Sequence, residues 1–419
     1  MLASGPLSKR PDGEFDAAVQ DGQYFYAAGR HISTPNPILV RWDAALAQAV
    51  DVTGNGVGRV TALAANGNGV FFAGVADQAM TLDGTCGTTL AQGLSLGMFV
   101  VAWNTSLSCT LVHEFGGVQY SGLVRAADAV NNTVVMAGHS DSANLWCQRA
   151  PGFQHFIGRY DSTRCHWAKA FLLGTADEGI YATAHKNGRV VVVGSYQGGM
   201  AGIAGCRLPA ARGIDGFIAI LNQETGDCLG VNVLSGPGKD VATALALDAA
   251  HIYVAGRYQG SPDFGGCSEQ LPDAGSFDAA FVAKLTMDVP KPHILWTRGY
   301  TTSGGVDPRA LTHFGRGDLR LAGSFTGDGD FGGGDLINPT GFARIFVAKL
   351  DATTGQHLLS AFAPTFGPMA EDGDDIVTAI LPTPQEGILL AGSYVGDTPL
   401  TGNMELERAA YVVDTELQP

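Results

Sequence analysis

Charge is scarce in this chain, and positive charge scarcest. Asp, Glu, Lys and Arg make up 16% of the 419 residues, with 25 Lys and Arg against 40 Asp and Glu and a formal net charge of -15. Such a surface repels phosphate backbones and anionic lipid, so no nucleic acid partner is expected. No apolar run reaches the roughly 18 residues of a membrane-spanning helix, so no membrane insertion is expected either. The start, Met1 to Pro6, lacks the basic and apolar regions of a signal peptide, and the chain is read as a mature or cut-out portion of a longer secreted protein. No HExxH, GxSxG or P-loop occurs, which removes the commonest hydrolase and nucleotide-binding signatures. No two cysteines have the close spacing of a zinc ribbon or finger.

What is abundant is glycine, 58 residues of it, in a chain that is 45% hydrophobic. That composition suits many turns between short strands. One unit recurs seven times: an apolar run ending in glycine, at Gly29, Gly74, Gly138, Gly194, Gly256, Gly323 and Gly392. An alanine in a second short strand precedes each, at Ala17, Ala62, Ala126, Ala182, Ala244, Ala310 and Ala379. A third strand follows, as in Phe217 to Asn222 or Phe346 to Asp351, then a turn and a fourth strand such as His293 to Arg298. The spacing of the glycines varies between 45 and 69 residues, so the differences sit in loops.

Each repeat is a four-stranded antiparallel meander with apolar residues on both faces, and such sheets must stack to bury them. Radial closure does so while leaving only short edges. The expected fold is all-β: a single seven-bladed β-propeller over residues 1–419, its alanine strands crowded at the axis. The chain stops one strand short of a complete last repeat, so the N-terminal segment is expected to share the last blade and close the ring.

The repeats resemble the bacterial seven-bladed propeller family known as SBBP repeats. The likeness is carried by Ile252 to Gly256, Asp263-Phe264-Gly265-Gly266 and Asp278 to Leu285, and by Gly329 to Gly334 with Phe346 to Asp351. Repeats one to three diverge more. The resemblance implies the fold and raises the expectation of an exported bacterial protein; it implies no particular activity.

Seven cysteines carry the strongest chemical signal. Cys86, Cys147, Cys206 and Cys267 follow the signature glycines of repeats two to five, while Cys109, Cys165 and Cys228 follow the third-strand turns of repeats two to four. Two positions occupied together three times predict disulfides Cys86–Cys109, Cys147–Cys165 and Cys206–Cys228. Cys267 is left over, either a free thiol or a link to another chain. Disulfides persist in oxidising compartments, which predicts an extracellular, cell-surface or periplasmic location. The alternative is seven reduced core thiols.

Carboxylates recur just upstream of the alanines: Glu14, Glu178, Asp240, Asp307 and Asp375. They are expected near the mouth of the axial channel, either as oxygen ligands for calcium or as acceptors for backbone N–H groups. Asp328 and Asp330 form a further calcium candidate in a glycine-rich loop, against the plainer reading of a turn. Tyr196, Tyr258, Phe325 and Tyr394, with Phe264, are candidates for a stacking platform or for packing between blades. Histidines 139, 185, 251 and 313 are read mainly as structural. The connections after the signature glycines are far longer than hairpin loops, and they are expected to form either a functional face or padding.

Two functions follow. The leading one is an exported, non-enzymatic binding or scaffold module with a protein or glycan partner, at the cell surface or in a larger assembly. The alternative is a metal-assisted propeller hydrolase or lyase using the axial carboxylates.

Overall fold

The structure, a computed structural model, describes residues 3–416 except 12, 23, 35, 44–48, 52–55, 77–79, 82–88, 91–96, 107, 116–121, 131, 141–142, 145–146, 148, 151–153, 162–163, 176–177, 265–269, 364–373, 384–386 and 398–405. For the first and last strands only the backbone pairing is described. The described residues contain strands and no helix. Seven four-stranded antiparallel sheets hold 28 of the 36 strands, and four two-stranded sheets hold the rest.

Each sheet begins with an inner strand: Gly13–Asp21, Gly58–Ala65, Gly122–Val130, Gly179–Lys186, Val241–Leu247, Gly305–Phe314 and Ile376–Pro382. The next strand ends near the signature glycine, as in Arg189–Gln197, and pairs with a third such as Ile214–Asn222. In the last sheet Ala3–Pro11 pairs with Leu406–Glu416, so the N-terminal segment supplies the outer strand. Inner strands contact their neighbours in sequence, and the seventh contacts the first. The molecule is an all-β propeller.

Apolar runs make these strands, and burial on both faces holds them. Val190 to Val193 and Phe217 to Leu221 are all fully buried, as continuous rather than alternating apolar strands require. The clusters bridge neighbouring sheets. Ile157 and Trp167 pack with Val190 and Phe217, and Phe25 and Val40 of the first sheet pack with Leu389 and Ala391 of the seventh. Each such aliphatic or aromatic side chain contributes roughly 1.5–3 kcal/mol by leaving water.

The signature glycine has a specific reason. Every inner strand bulges one residue before its alanine, as between Ala242 and Ala244 or between Ile180 and Ala182. The bulge drives a backbone carbonyl against the glycine. A Cβ on Gly256 would fall on the Val241 carbonyl oxygen, and one on Gly194 on that of Gly179. Gly29, Gly74, Gly138 and Gly323 meet the equivalent carbonyl. The third strand then lays an aromatic ring over the bare backbone, Phe281 opposite Gly256 and Phe217 opposite Gly194.

Sheets that radiate from an axis diverge outward, and the long loops fill the wedges. The fourth sheet's loop forms a small hairpin, Gly202–Ile203 with Cys206–Arg207. Ala201, Ile203 and Leu208 of this loop pack against Trp167, Phe171 and Leu173 of the preceding sheet. Cys206–Cys228 and Cys147–Cys165 are disulfides, each tying its loop to the first residue of the fourth strand in the same sheet. Cys109 is likewise disulfide-bonded. Its expected partner Cys86, and the odd Cys267, lie outside the described residues.

Replacing Gly256 by Ala should therefore lower the unfolding free energy by about 3 kcal/mol, the cost of forcing atoms into a filled space. Gly199, with nothing within 4 Å of its would-be Cβ, should accept Ala within about 0.5 kcal/mol. Urea denaturation of the two variants checks this; equal midpoints would remove the close-approach explanation.

Candidate functional site

The extra residue of each bulge has no ladder partner and turns toward the axis. In order these residues are Asp16, Thr61, Arg125, Tyr181, Thr243, Arg309 and Thr378. All seven line a vestibule of about 420 Å³ and also a lower channel cavity of about 300 Å³. They form a diaphragm between the two. Below it the wall is largely alanine, leucine and threonine. Above it the wall adds Arg59, Arg257 and Asp307.

The diaphragm also ties sheet to sheet. Thr61 Oγ1 donates to the Val124 carbonyl at 2.5 Å, and Thr243 Oγ1 to that of Pro308 at 2.5 Å. Arg59 of the second sheet donates to both carboxylate oxygens of Asp16 in the first, and reaches Glu14 at 3.1 Å. Arg309 donates to Asp307 at 2.6 Å, and Arg257 lies 3.3 Å from Asp278 and 3.8 Å from Asp307. The Arg125 guanidinium lies over the Tyr181 ring, 5.3 Å from its centroid, a favourable cation–π arrangement. The vestibule thus offers four guanidinium groups, two carboxylates, hydroxyls and one aromatic ring.

The expected ring of carboxylates is two sets. Glu14 and Asp307 stand three residues before their alanines, Glu178, Asp240 and Asp375 four. The first set lies within the inner strand and pairs with arginine; Glu14 accepts from Arg30 at 2.8 Å. The second set lies at the entry to the strand. There Glu178 accepts from the Thr175 amide and hydroxyl at 2.6 and 2.7 Å. Asp375 sits beside Arg344, yet burial pushes its carboxyl up to about 7. Asp240 is fully buried with neither carboxylate oxygen hydrogen-bonded. Burial, and then the neighbouring Asp215, push its carboxyl up to about 8.

The five carboxylates therefore do not converge on one ion, and among the described residues no three His, Cys, Asp or Glu side chains are gathered to hold a metal. Asp328 and Asp330 serve turns: Asp328 accepts from the Asn338 amide at 2.9 Å, and Asp330 from those of Gly332 and Gly334 at 2.7 and 3.1 Å.

The aromatic residues have two readings, a platform or packing between blades. Tyr196, Tyr258, Phe264 and Phe325 are 0 to 5% exposed, because their rings fill the wedges. Phe264 packs edge-on to Phe281 at 4.9 Å, and Phe325 stacks on Phe362 at 5.6 Å. The Tyr394 side chain lies outside the described ones. His155, buried, accepts from the Leu173 amide through Nδ1 at 3.2 Å, so Nε2 carries the proton and donates to the Glu178 carbonyl at 3.0 Å. Burial holds its pKa down, and it acts as a neutral strut. His185 and His251 bind Asp128 and Asp248 at 2.6 and 3.0 Å.

The diaphragm was the part that sequence reasoning missed. A signal was present: the residue before each fixed alanine bears a polar group in all seven copies.

No protein-family model matches the chain, and no curated protein sequence does. Solved structures that align with it include a protein of unknown function from Dyadobacter fermentans, 12% identical, TM-score 0.38, covering 85% of this chain and 94% of that one. A putative oxidoreductase (glucose dehydrogenase) from Thermus thermophilus aligns at 11% identity and TM-score 0.40, over 84% and 95%. A subtype N11 neuraminidase-like protein from a flat-faced bat isolate aligns at 7% and 0.41, over 84% and 86%. Likeness of this degree carries no argument about activity.

Asp240 yields a pH test. A carboxyl raised to about 8 in the folded chain takes up a proton on folding, so stability is greatest below the ordinary carboxylate range near 4 and falls as pH rises toward 8. In buffer free of divalent cations, Asp240→Asn should flatten that fall. Its advantage over the parent should grow from pH 5 to pH 8 by on the order of 2–5 kcal/mol. Denaturant midpoints across this range check it; parallel pH profiles would refute it.

Proposed function

We propose that this chain is an exported seven-bladed propeller of the SBBP-repeat type that binds rather than catalyses, with the axial vestibule as its ligand site and a glycan as its ligand. The seven-blade reading is supported by the seven sheets and by the cycle of inner-strand contacts that runs from the seventh back to the first. Two intrablade disulfides support export, since such bonds do not persist in a reducing cytosol. The buried Phe264 and Phe331 give the shared loop motif a structural purpose in the wedges.

The observation that carries the binding reading is the lining of the vestibule. Arg125, Arg309, Asp16, Asp307 and three threonines surround a volume of about 420 Å³ beside the Tyr181 ring. That is within the usual size of ligand pockets. Donors and acceptors beside one aromatic ring suit a polyhydroxyl group, whose hydroxyls both give and accept hydrogen bonds and whose ring face is apolar. The carboxylates in the vestibule wall, Asp16 and Asp307, are engaged by Arg59, Arg257 and Arg309.

A glycan array probed with the intact protein, with a peptide array beside it, tests this. A glycan that binds should lose at least tenfold in affinity on Arg125→Ala or Tyr181→Ala, while Gln223→Ala and Thr353→Ala, in the turns opposite, leave it unchanged. Binding that survives the first pair and is lost with the second would place the site elsewhere.

A further inference from the structure

We propose that Asp215 and Asp240 hold one calcium-like divalent cation between the fourth and fifth sheets. Asp215 opens the third strand of one sheet, and Asp240 stands at the entry to the inner strand of the next. The Asp240 amide donates to the Ile214 carbonyl at 2.7 Å, which sets the two acids side by side. They are 0 and 1% exposed. Asp215 Oδ2 accepts from Ser235 Oγ at 2.9 Å and from the Arg212 amide at 3.3 Å.

Two carboxylate oxygens are left, both of Asp240, buried and without a hydrogen-bond partner. The buried Tyr196 side chain faces Asp215 across the strands, and its hydroxyl interacts with that carboxylate. The linker closes over them, with Gly236 so near that a Cβ there would lie 2.6 Å from Asp240 Oδ2.

The sister interfaces show what this position normally holds. Between the sixth and seventh sheets the Asp375 amide donates to the Ala343 carbonyl at 2.9 Å, and the residue in place of Asp215 is Arg344, of opposite charge. Between the fifth and sixth, the Val306 amide donates to the Asp278 carbonyl at 3.0 Å, and an apolar alanine follows. Here two acids meet instead. Each buried charge without compensation costs several kcal/mol. One proton relieves only half of the pair, whereas one divalent cation neutralises both. Carboxylate, hydroxyl and carbonyl oxygens in irregular number are what calcium accepts and magnesium tolerates poorly.

The inference is independent of the vestibule reading. Its test is calorimetric titration of the intact, chelator-treated protein with calcium chloride, with thermal melts alongside. The parent should take up one ion through this site and melt several degrees higher when loaded. Asp240→Asn and Asp215→Asn, near-isosteric and relieved of a buried charge, should fold, bind at least tenfold more weakly and lose the shift. Asp328→Asn with Asp330→Asn should keep it. A parent that takes up no calcium, with stability following pH alone, would overturn the proposal, as would uptake untouched by the first two variants or abolished by the last.

Discussion

The close approach of the inner strand to the signature glycine governs the rest of this molecule. Without a side chain at Gly256 or Gly194, the carbonyl of the facing strand moves in and the strand gains one extra residue. A bulge sharpens local twist and releases its extra residue from the ladder. Here that residue points to the axis, and the alanine after it keeps the wall thin enough for neighbouring inner strands to meet. A single backbone contact thereby sets the crowding at the axis, the tie from sheet to sheet and the lining of the vestibule. Since the bulged residue is not required for packing, its identity is free to vary, and Asp, Thr, Arg and Tyr all occur there.

The outer half of the molecule answers to a different constraint. Sheets that touch at the axis splay at the rim, and the space between them must be filled at the density of a protein interior. The fourth sheet's loop does so with Ala201, Ile203 and Leu208, the sixth with Phe331, stacked on Phe346 at 3.9 Å. Gly332 and Gly333 of that loop lie where any Cβ would meet the His357 ring. Loop lengths differ because wedge fillings differ, which accounts for the uneven repeat. The disulfides fasten two of these loops to the sheets they spring from.

Sequence reasoning reached the features that recur in backbone geometry. The meander, the alanine, the glycine and the cysteine pairs Cys147–Cys165 and Cys206–Cys228 repeat at fixed register because each copy meets the same steric demand. It did less well where side chains answer to a neighbour that is distant in sequence. The carboxylates were grouped by nearness to the alanine, yet a shift of one residue sends Glu14 and Asp307 to arginines in the vestibule and leaves Asp240 buried. For Tyr196 and Tyr258 a platform and packing between blades both stay open in the sequence, since nothing local reveals which loop covers them. Polarity before every alanine was legible, but its meaning depended on a bulge that no local pattern announces.

Electrostatics then differ sharply between places only a strand apart. In a chain of net charge -15, the vestibule collects Arg59, Arg125, Arg257 and Arg309 against Asp16 and Asp307 in its wall, with Glu14 paired to Arg59 and Asp278 to Arg257. At the sheet junctions one acidic position meets three different surroundings. Glu178 takes a hydroxyl and an amide, Asp375 faces Arg344, and Asp240 faces another acid. The first two close within the protein. The third leaves buried oxygens unpaired, and the repeat makes the exception visible because the same junction, elsewhere in the ring, places a cation or an alanine opposite.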